Sequence, residues 1–524
     1  MWSYSRRGFT SVASATVAQH QQKARYKPVI GLEVHVQLNT KTKLFSRCPT
    51  TDSSPNRRVL PFDMATPGTL PSLNSQCIYR ALKMARLLNC HVSEWSRFDR
   101  KHYFYGDMPA GYQITQNHHP IAKNGNFGFW VFDEHLDVPY WKEVKILQLQ
   151  LEQDSGKTIH LPSTSSEGGE GPKSLIDYNR AGCALIEIVT SPCFETAIEA
   201  IRFVQTLRLL IIHHNISNGE LHKGHLRVDA NVSLERDTVP GTRTEIKNMN
   251  SIRTIHTAIN FEIARQFEIL NSNGTVQKET RAADQDGRTV SMREKDDVDT
   301  DYRFMVEPNL PKLRIKEEWL TMAEEEMENA GKADFENLRD VIGFDPRSSI
   351  HIAEDPDLLA FVKRCIRLRD SSVSAEEILY WMKQLKTTMQ RSKCNYPPQS
   401  EFFARQFMTL LNLVRQRRLT HLRVLDLLRY YSTTSEGDSS EGEEEGVTEF
   451  VEKHQLWRIE DPREIERLVG DMMRRNEKLV EKARNGNSKS FNRLRNLINE
   501  ATEKRIDIEE LCEVMKQFLD QKLV

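Results

Sequence analysis

From Val29 to Leu38 the chain alternates. Leu32, Val34, Val36 and Leu38 fall on one side of an extended strand, and Glu33, His35 and Gln37 on the other. Leu226–Glu235 repeats the pattern, setting Leu226, Val228, Ala230, Val232 and Leu234 against Arg227, Asp229, Asn231, Ser233 and Glu235. Val144–Glu152 alternates less cleanly; a regular strand there puts Leu147, Leu149 and Leu151 on one face and Gln148, Gln150 and Glu152 on the other. Leu185–Val189 reads as a buried strand enclosing one carboxylate, Glu187. Gln76–Leu88, Glu195–Ile212 and Ser251–Leu270 carry apolar residues at three- and four-residue spacing and predict helices. Up to about residue 310, then, the pattern predicts a large mixed α+β domain whose polar strand faces line a shared cavity.

From about 315 the period changes. Amphipathic helices are expected over Glu317–Asn329, Pro356–Arg369, Ala375–Met389, Glu401–Arg417 and Thr420–Tyr431. Residues 432–446 are low-complexity and acidic, with no apolar side chain to bury, and read as a disordered linker. A last helical segment follows. The organisation expected is a cradle-like α+β domain at 25–314, a helical domain at 315–431, the linker at 432–446 and a helical tail domain at 447–524.

Charge refines this picture. The 524 residues carry 73 Lys and Arg against 74 Asp and Glu, a formal net charge of −1, which excludes a protein that holds polyanions by bulk charge. Residues 361–430 depart from the balance, with 14 basic and 5 acidic residues, a local net of +9. Arg415, Arg417 and Arg418 lie in its densest part, as either a solvated helix surface or a patch that tracks nucleic-acid phosphates. No apolar run approaches the ~20 residues of a membrane-spanning helix. The eight cysteines form no C-x-x-C pair, which argues against a disulfide scaffold or a four-cysteine zinc site. The first 32 residues lack Asp and Glu but contain Arg6, Arg7, Lys23, Arg25 and Lys27 among Ser, Thr and Ala. That is the composition of an organelle transit peptide, expected over residues 1–24.

Standard nucleotide motifs fail. Gly156-Lys157-Thr158 resembles the end of a phosphate-binding loop, but Leu151 stands where its first glycine belongs. Gly168-Gly169-Glu170-Gly171 lacks a flanking strand and helix. There is no G-x-S-x-G elbow, no Gly/Ser-rich amidase signature and no cysteine in a glutaminase context, so the chain is not expected to release ammonia from glutamine. What remains is carboxylates on strands. Glu33 and His35 point the same way, and Glu152 and Glu187 sit on two further strands. Three carboxylates and an imidazole could converge on Mg2+, which prefers oxygen ligands and leaves room for phosphate oxygens. Taken singly, each glutamate is more often a hydrogen-bonded or solvent-facing residue. Glu187 is the most demanding, because an unpaired carboxylate among Leu185, Ile186, Ile188 and Val189 is costly to bury. Two segments are dense in polar and aromatic groups: Asp99–Gln113, and Thr242–Ser251 with Lys247, Asn248 and Asn250.

Eight segments in order resemble the B-subunit family of the aspartyl/glutamyl-tRNA amidotransferases: V-I-G-L-E-V-H-V-Q-L (29–38), F-D-R-K-H-Y-F-Y-G-D (98–107), Y-Q-I-T-Q (112–116), L-E-Q-D-S-G-K (151–157), D-Y-N-R-A-G (177–182), L-I-E-I-V-T-S-P (185–192), L-R-V-D-A-N-V-S-L (226–234) and G-T-R-T-E-I-K-N-M-N-S (241–251). With the basic N-terminus, the resemblance is to the mitochondrial branch. It implies a glutamine-synthetase-like cradle, a helical domain and a tail that grips tRNA. The implied activity is an ATP-dependent carbon–nitrogen ligase, part of a heterotrimer, with glutamine as amido donor. ATP phosphorylates the γ-carboxylate of misacylated Glu-tRNA(Gln), and ammonia from an amidase-type A subunit displaces phosphate, with a small C subunit bracing the pair. Carried over by position, Glu33, His35, Glu152 and Glu187 would bind Mg2+. Lys101, Tyr103 and Tyr105 would border ATP or substrate, and Asp229, Lys247 and Asn248 would lie in or near the same cavity.

Departures from the family pattern limit the transfer. Leu221-His222-Lys223-Gly224 is basic where the family is usually acidic, so no metal role is carried there. Gln153 replaces a usual glutamate, leaving Glu152 as the ligand. The Gly-rich block of the tail is degenerate at Gly486–Leu494. Two rival readings stay open on the sequence: a non-catalytic tRNA adaptor, and a free-standing small-molecule amide ligase.

Overall fold

The computed structural model describes residues 26–161, 173–284, 286–291, 302–370, 373–434 and 445–520. The expected transit peptide at 1–24 and most of the linker, 435–444, lie outside the described residues. The chain forms two compact units that divide between Ala333 and Asp334.

The first unit is built on strands β1 (Tyr26–Gln37), β2 (His91–Val92), β3 (Trp95–His102), β4 (Tyr112–His119) and β5 (Ala122–Val131). They are followed by β6 (Tyr140–Gln153), β7 (Lys157–Leu161), β8 (Lys173–Asp177), β9 (Ala184–Thr190) and β10 (Leu226–Arg236). The last are β11 (Thr244–Met249), β12 (Glu279–Ala283), β13 (Thr289–Ser291), β14 (Met305–Val306) and β15 (Leu313–Arg314). Nine of these make one sheet in the order β13-β12-β11-β10-β1-β9-β6-β5-β2. Among the described residues, β11 and β12 are its one parallel pair. In a smaller sheet β3 pairs with β4, β14 and β15. β4 is tied to β6 by Gln113 Nε2 donating to Gln153 O at 2.8 Å and by Leu151 N donating to Gln116 Oε1 at 2.9 Å.

The apolar face of the large sheet is the core. Ile30, Leu32, Val34 and Val36 of β1 are buried beside Ile186 and Ile188 of β9 and Leu226, Val228, Ala230 and Val232 of β10. Helices Ala197–His213 and Ile252–Asn271 pack on strands of this sheet and on each other. Their starts follow from the sequence, since the Thr196 and Ser251 hydroxyls accept from Glu199 N at 3.2 Å and Thr254 N at 3.0 Å. Burying one face this thoroughly fixes strand register, because a one-residue slip would exchange core and polar faces.

β6 departs from the expected regular alternation. Its register against β9 shifts between Ile146 and Gln148. Val144 and Ile146 are buried before this bulge and Leu149 and Leu151 after it, while Leu147 is 47% exposed. The extra residue switches the buried parity from even to odd numbers, so Leu147 does not share the face of Leu149 and Leu151.

Helix Glu317–Ala330 belongs with this first unit rather than with the helices that follow it. It docks on helix Ser75–Leu87 through Lys83 Nζ to Glu326 Oε1 at 2.8 Å, Arg86 to Glu324 at 2.5 Å, and the Tyr79 hydroxyl donating to Glu326 Oε2 at 2.7 Å.

The second unit is helical, and the whole fold is α+β with a helical C-terminal region. One core spans Leu338 to Leu456 and a second spans Ile459 to Met515. Val447 and Val451, expected to open the tail, sit in the first of these cores. The helix expected to run to Arg417 ends at Arg415, and Arg417 adopts a left-handed backbone, φ 59°.

Candidate active site

Five adjacent strands, β6, β9, β1, β10 and β11, turn their polar faces toward a cavity of about 650 Å3. Register does the assembling. Gln150 stands opposite Glu187, Glu187 opposite His35, and His35 opposite Arg227, one row across four strands. One row along, Glu33 faces Asp229. Residues opposite one another in a ladder share a face, so alternation in sequence becomes convergence in space.

His35 Nε2 lies 3.3 Å from Glu152 Oε1 and 4.0 Å from Glu187 Oε1. One ligand atom from each of these three residues falls within 4.8 Å of the other two. Glu152 also accepts from the Thr115 hydroxyl at 3.4 Å, and Gln150 Nε2 donates to Glu187. Glu33 is set apart: it lines the cavity, but its Oε1 accepts from Asn231 Nδ2 at 2.9 Å.

The electrostatics are those of crowded, buried acids around one base. Burial works against charge on His35, but the Glu152 hydrogen bond and the charges of Glu187, Glu152 and Asp229 outweigh it, raising its pKa to about 9. Burial, then the Glu152 charge, lifts Glu187 to about 7. Glu152 itself is held below the usual carboxylate range: burial opposes this, but the His35 hydrogen bond and charge and Lys101 prevail. Burial raises Asp229 to about 6, with Glu245 and Glu33 adding to the rise. Two carboxylate oxygens and an imidazole nitrogen so close together suit a hard divalent cation that keeps open positions for water and phosphate oxygens.

The cavity walls bring cations, among them Lys101, Arg227 and Lys247, beside further acids such as Asp107 and Glu245. Lys101 Nζ, from β3, lies 4.6 Å from the centroid of Tyr302 and 6.0 Å from that of Tyr103. Tyr103 and Tyr105 rings meet at 5.6 Å, and burial followed by the Glu152 and Asp107 charges drives the Tyr103 hydroxyl far above its usual pKa. Lys247 and Asn248 sit where the β10–β11 register shifts between Val228 and Ala230. Asn248 has φ 67°, a conformation asparagine tolerates, and the irregularity turns this segment into the cavity lining. Every expected cradle residue therefore lines one cavity: Glu33, His35, Lys101, Tyr103, Tyr105, Glu152, Glu187, Asp229, Lys247 and Asn248.

Sequence reasoning passed over Arg227 and Asp154. Arg227 Nη2 lies 3.0 Å from Asp154 Oδ1, and Arg180 Nε lies 3.3 Å from Asp154 Oδ2. Asp154 is buried, and Arg227 keeps Nε and Nη2 buried without a hydrogen bond of good geometry. The signal was present, since Arg227 shares the polar face of its strand with Asp229 and Asn231.

The basic patch lies in the second unit. Arg415 ends its helix, with Nε 4.0 Å from Glu377. Arg417 and Arg418 lie in the turn that follows, and all three are exposed. Arg418 stacks on Trp457 at 3.9 Å from the ring centroid, and its carbonyl accepts from Arg458 N at 2.9 Å.

Fold and site together define an α+β protein with a buried carboxylate–imidazole cluster in a cation-walled cavity, carried on a unit separate from its helical C-terminal region. The model for the GatB/GatE catalytic domain matches residues 28–321, and the GatB domain model matches 369–519. A protein of Aedes aegypti, named as the mitochondrial B subunit of glutamyl-tRNA(Gln) amidotransferase, is 36% identical, over 98% of this chain and 97% of its own. The Homo sapiens protein of the same name is 35% identical over 99% and 93%. The B subunit of the aspartyl/glutamyl-tRNA(Asn/Gln) amidotransferase of Brachyspira hyodysenteriae is 32% identical over 95% and 100%. The chain belongs to the GatB/GatE family of amidotransferase B subunits.

Proposed function

We propose that this chain is the ATP-dependent, tRNA-binding component of a mitochondrial amidotransferase that converts Glu-tRNA(Gln) to Gln-tRNA(Gln), working with an amidase-type A subunit and a small C subunit. The observation that carries the reading is the grouping of His35, Glu152 and Glu187 at the floor of a cavity walled by Lys101, Lys247 and Arg227. Near-full-length relatives bear names for this activity and this organelle.

The reaction sets two demands that the cavity's own residues answer. A glutamyl γ-carboxylate and the γ-phosphate of ATP repel one another. Lys101, Lys247 and Arg227 supply positive charge where the two meet, and fixed cations in a shielded site count for more than cations in water. A Mg2+ held by His35, Glu152 and Glu187 would add further charge neutralisation at the phosphate oxygens. The carboxylate oxygen then attacks the γ-phosphorus, the bond to ADP breaks, and an acyl phosphate forms. Ammonia attacks its carbonyl carbon, the carbon–oxygen bond to phosphate breaks, and the new amide nitrogen loses a proton. Tyr103, Tyr105 and Tyr302 line the cavity with aromatic surface, and the reaction requires that water be kept from the acyl phosphate it would hydrolyse.

Reconstitution tests the reading. The heterotrimer, given Glu-tRNA(Gln), ATP and either glutamine or ammonium, should form Gln-tRNA(Gln) with both donors and hydrolyse ATP only when the misacylated tRNA is present. ATP turnover on free glutamate would make the chain a small-molecule ligase instead. Amide formation without ATP would remove the phosphorylation step.

A further inference from the structure

The two carboxylates grouped with His35 are themselves held from behind. His35 Nε2 faces Oε1 of both, 3.3 Å from that of Glu152 and 4.0 Å from that of Glu187. The other oxygen of each is engaged elsewhere. Gln150 Nε2 donates to Glu187 Oε2 and, at 3.4 Å, to the Thr115 hydroxyl. That hydroxyl donates in turn to Glu152 Oε2, also at 3.4 Å. The hydrogens are used up along this line: the two on the Gln150 amide go to Glu187 and Thr115, and the one on Thr115 goes to Glu152. Gln148 Nε2 donates to Gln150 Oε1, which fixes the Gln150 amide with its nitrogen toward Glu187.

Strand pairing puts the line in place. β4 is tied to β6 on either side of Thr115, by Gln113 donating to Gln153 O and by Gln116 accepting from Leu151 N. The Thr115 hydroxyl therefore falls between Gln150 and Glu152. Thr115 and Gln150 are both buried, where a donor stripped of its acceptor is costly.

This arrangement bears on the kind of cation. Ca2+ takes about 6–8 oxygens in flexible geometry, including both oxygens of one carboxylate. Mg2+ demands a near-ideal octahedron, which a two-oxygen bite distorts, and it keeps several waters. The partners of a ligand's remaining atoms decide how that ligand binds. Recruiting either Oε2 here would take the acceptor from Gln150 or Thr115.

We infer that Gln150 and Thr115 are positioning residues for the cation. By occupying the outer oxygens of Glu187 and Glu152, they leave one oxygen of each, Oε1, to a cation beside His35, and so set the site for Mg2+ against Ca2+. The inference rests on the proposed reading of the cavity as a Mg2+ site. The Gln150 link to Glu187 is closer than the Thr115 link to Glu152, so Gln150 carries the larger share.

The test measures cation choice in the reconstituted heterotrimer without ATP or tRNA. Mn2+ is the probe, its free fraction read by electron paramagnetic resonance, and the site is defined as the binding that Glu187→Gln removes. Mg2+ and Ca2+ then compete for it. In Gln150→Met the preference for Mg2+ over Ca2+ should fall by about tenfold, the low end of what losing a partner of a metal ligand does. In Thr115→Val it should fall by less, and Thr115→Ser, which keeps the hydroxyl, should match wild type. A role confined to packing would move the unfolding midpoint and leave the preference in place. An unchanged preference in Gln150→Met overturns the inference; where that variant does not fold, an unchanged preference in Thr115→Val does so. Thr115→Ser behaving like Thr115→Val removes the hydroxyl from the line. A wild-type complex with no Mn2+ site that Glu187→Gln removes sinks the cation reading of the cavity instead, and is read before any other variant.

Discussion

His35 on β1 and Glu187 on β9 stand directly opposite each other in an antiparallel register, with His35 Nε2 4.0 Å from Glu187 Oε1. The pairing is enforced from the other side of the sheet, where Val34 and Val36 meet Ile188 and Ile186 in the buried core. A carboxylate in this strand is tolerable because an imidazole and Gln150 are held against it. Hydrophobic packing on one face thus positions the polar chemistry on the other.

Glu187→Gln and Glu152→Gln should each lower tRNA-dependent ATP hydrolysis by at least about 100-fold, the scale of losing a donor that anchors a reactive site. Affinity for tRNA should change little. Raised Mg2+ should recover part of the rate, seen as a rightward shift of the Mg2+ titration. Wild-type rates in both variants would remove the cluster from the chemistry.

Glu33 should behave differently. Its Oε1 is committed to Asn231 and it stands outside the group of three. Glu33→Gln should therefore shift the Mg2+ titration less than Glu187→Gln does, while still slowing turnover through its place in the cavity. Equal shifts in the two variants would put Glu33 on the cation with the others.

Arg227 ends the row of polar residues, opposite His35 and paired with Asp154. Arg227→Gln should raise the KM for ATP and slow phosphorylation. Arg227→Lys should restore charge but not the paired geometry, and recover only part. Asp154→Asn should follow Arg227→Gln in the same direction with a smaller effect, because it acts through the guanidinium. A Michaelis analysis that leaves ATP parameters untouched in Arg227→Gln would make the Arg227–Asp154–Arg180 cluster purely structural.

How far the sequence reaches can be judged from particular positions. The faces of β1 and β10 were legible because clean alternation has one solution when one face is buried. The helices expected at Glu195–Ile212 and Ser251–Leu270 were legible from apolar spacing, and they form within two residues of those bounds. Leu147 was not, because a bulge carries no mark in residue type. Asn248 could be quoted as a motif residue, but its left-handed backbone and its place at a register shift exist only once β10 and β11 pair. The grouping of His35, Glu152 and Glu187 without Glu33 depends on rotamers and on Asn231, which no spacing rule supplies. The helix at Glu317–Ala330 looked like those after it in period, and its contacts with Tyr79, Lys83 and Arg86 assign it to the first unit.

Stability of the first unit has its own test. Glu262 is fully buried and held by Arg265 at 2.7 Å and Arg281 at 3.4 Å, with the Thr289 hydroxyl donating at 2.9 Å. Burial opposes its charge, but the Arg265 and Gln266 hydrogen bonds prevail and its pKa is lowered. A carboxyl whose folded pKa is depressed stabilises fully above its unfolded value and loses that contribution as pH falls through the folded one. Glu262→Leu should cost about 3 kcal/mol at neutral pH by taking the buried carboxylate from two arginines that then share Glu279 alone, with the difference from wild type shrinking in acid. Urea unfolding at pH 7 and pH 4 would show it; a constant difference would mean the ion pairs are not its source.

The basic patch separates into parts that should answer differently. Arg415 and Arg417 are exposed, and their replacement by Glu should weaken tRNA binding and flatten its salt dependence without altering stability. Arg418 is stacked on Trp457 beside the Arg458 backbone contact, at the seam between the two helical cores of the second unit. Arg418→Glu should therefore also lower the unfolding midpoint, whereas Arg418→Lys should keep much of the stacking and the charge. Salt-dependent tRNA binding paired with thermal unfolding distinguishes the roles. An unchanged salt slope in the Arg415→Glu, Arg417→Glu double variant would return those side chains to ordinary surface, and a stability loss confined to Arg418→Glu would then make the patch a structural seam rather than an RNA contact.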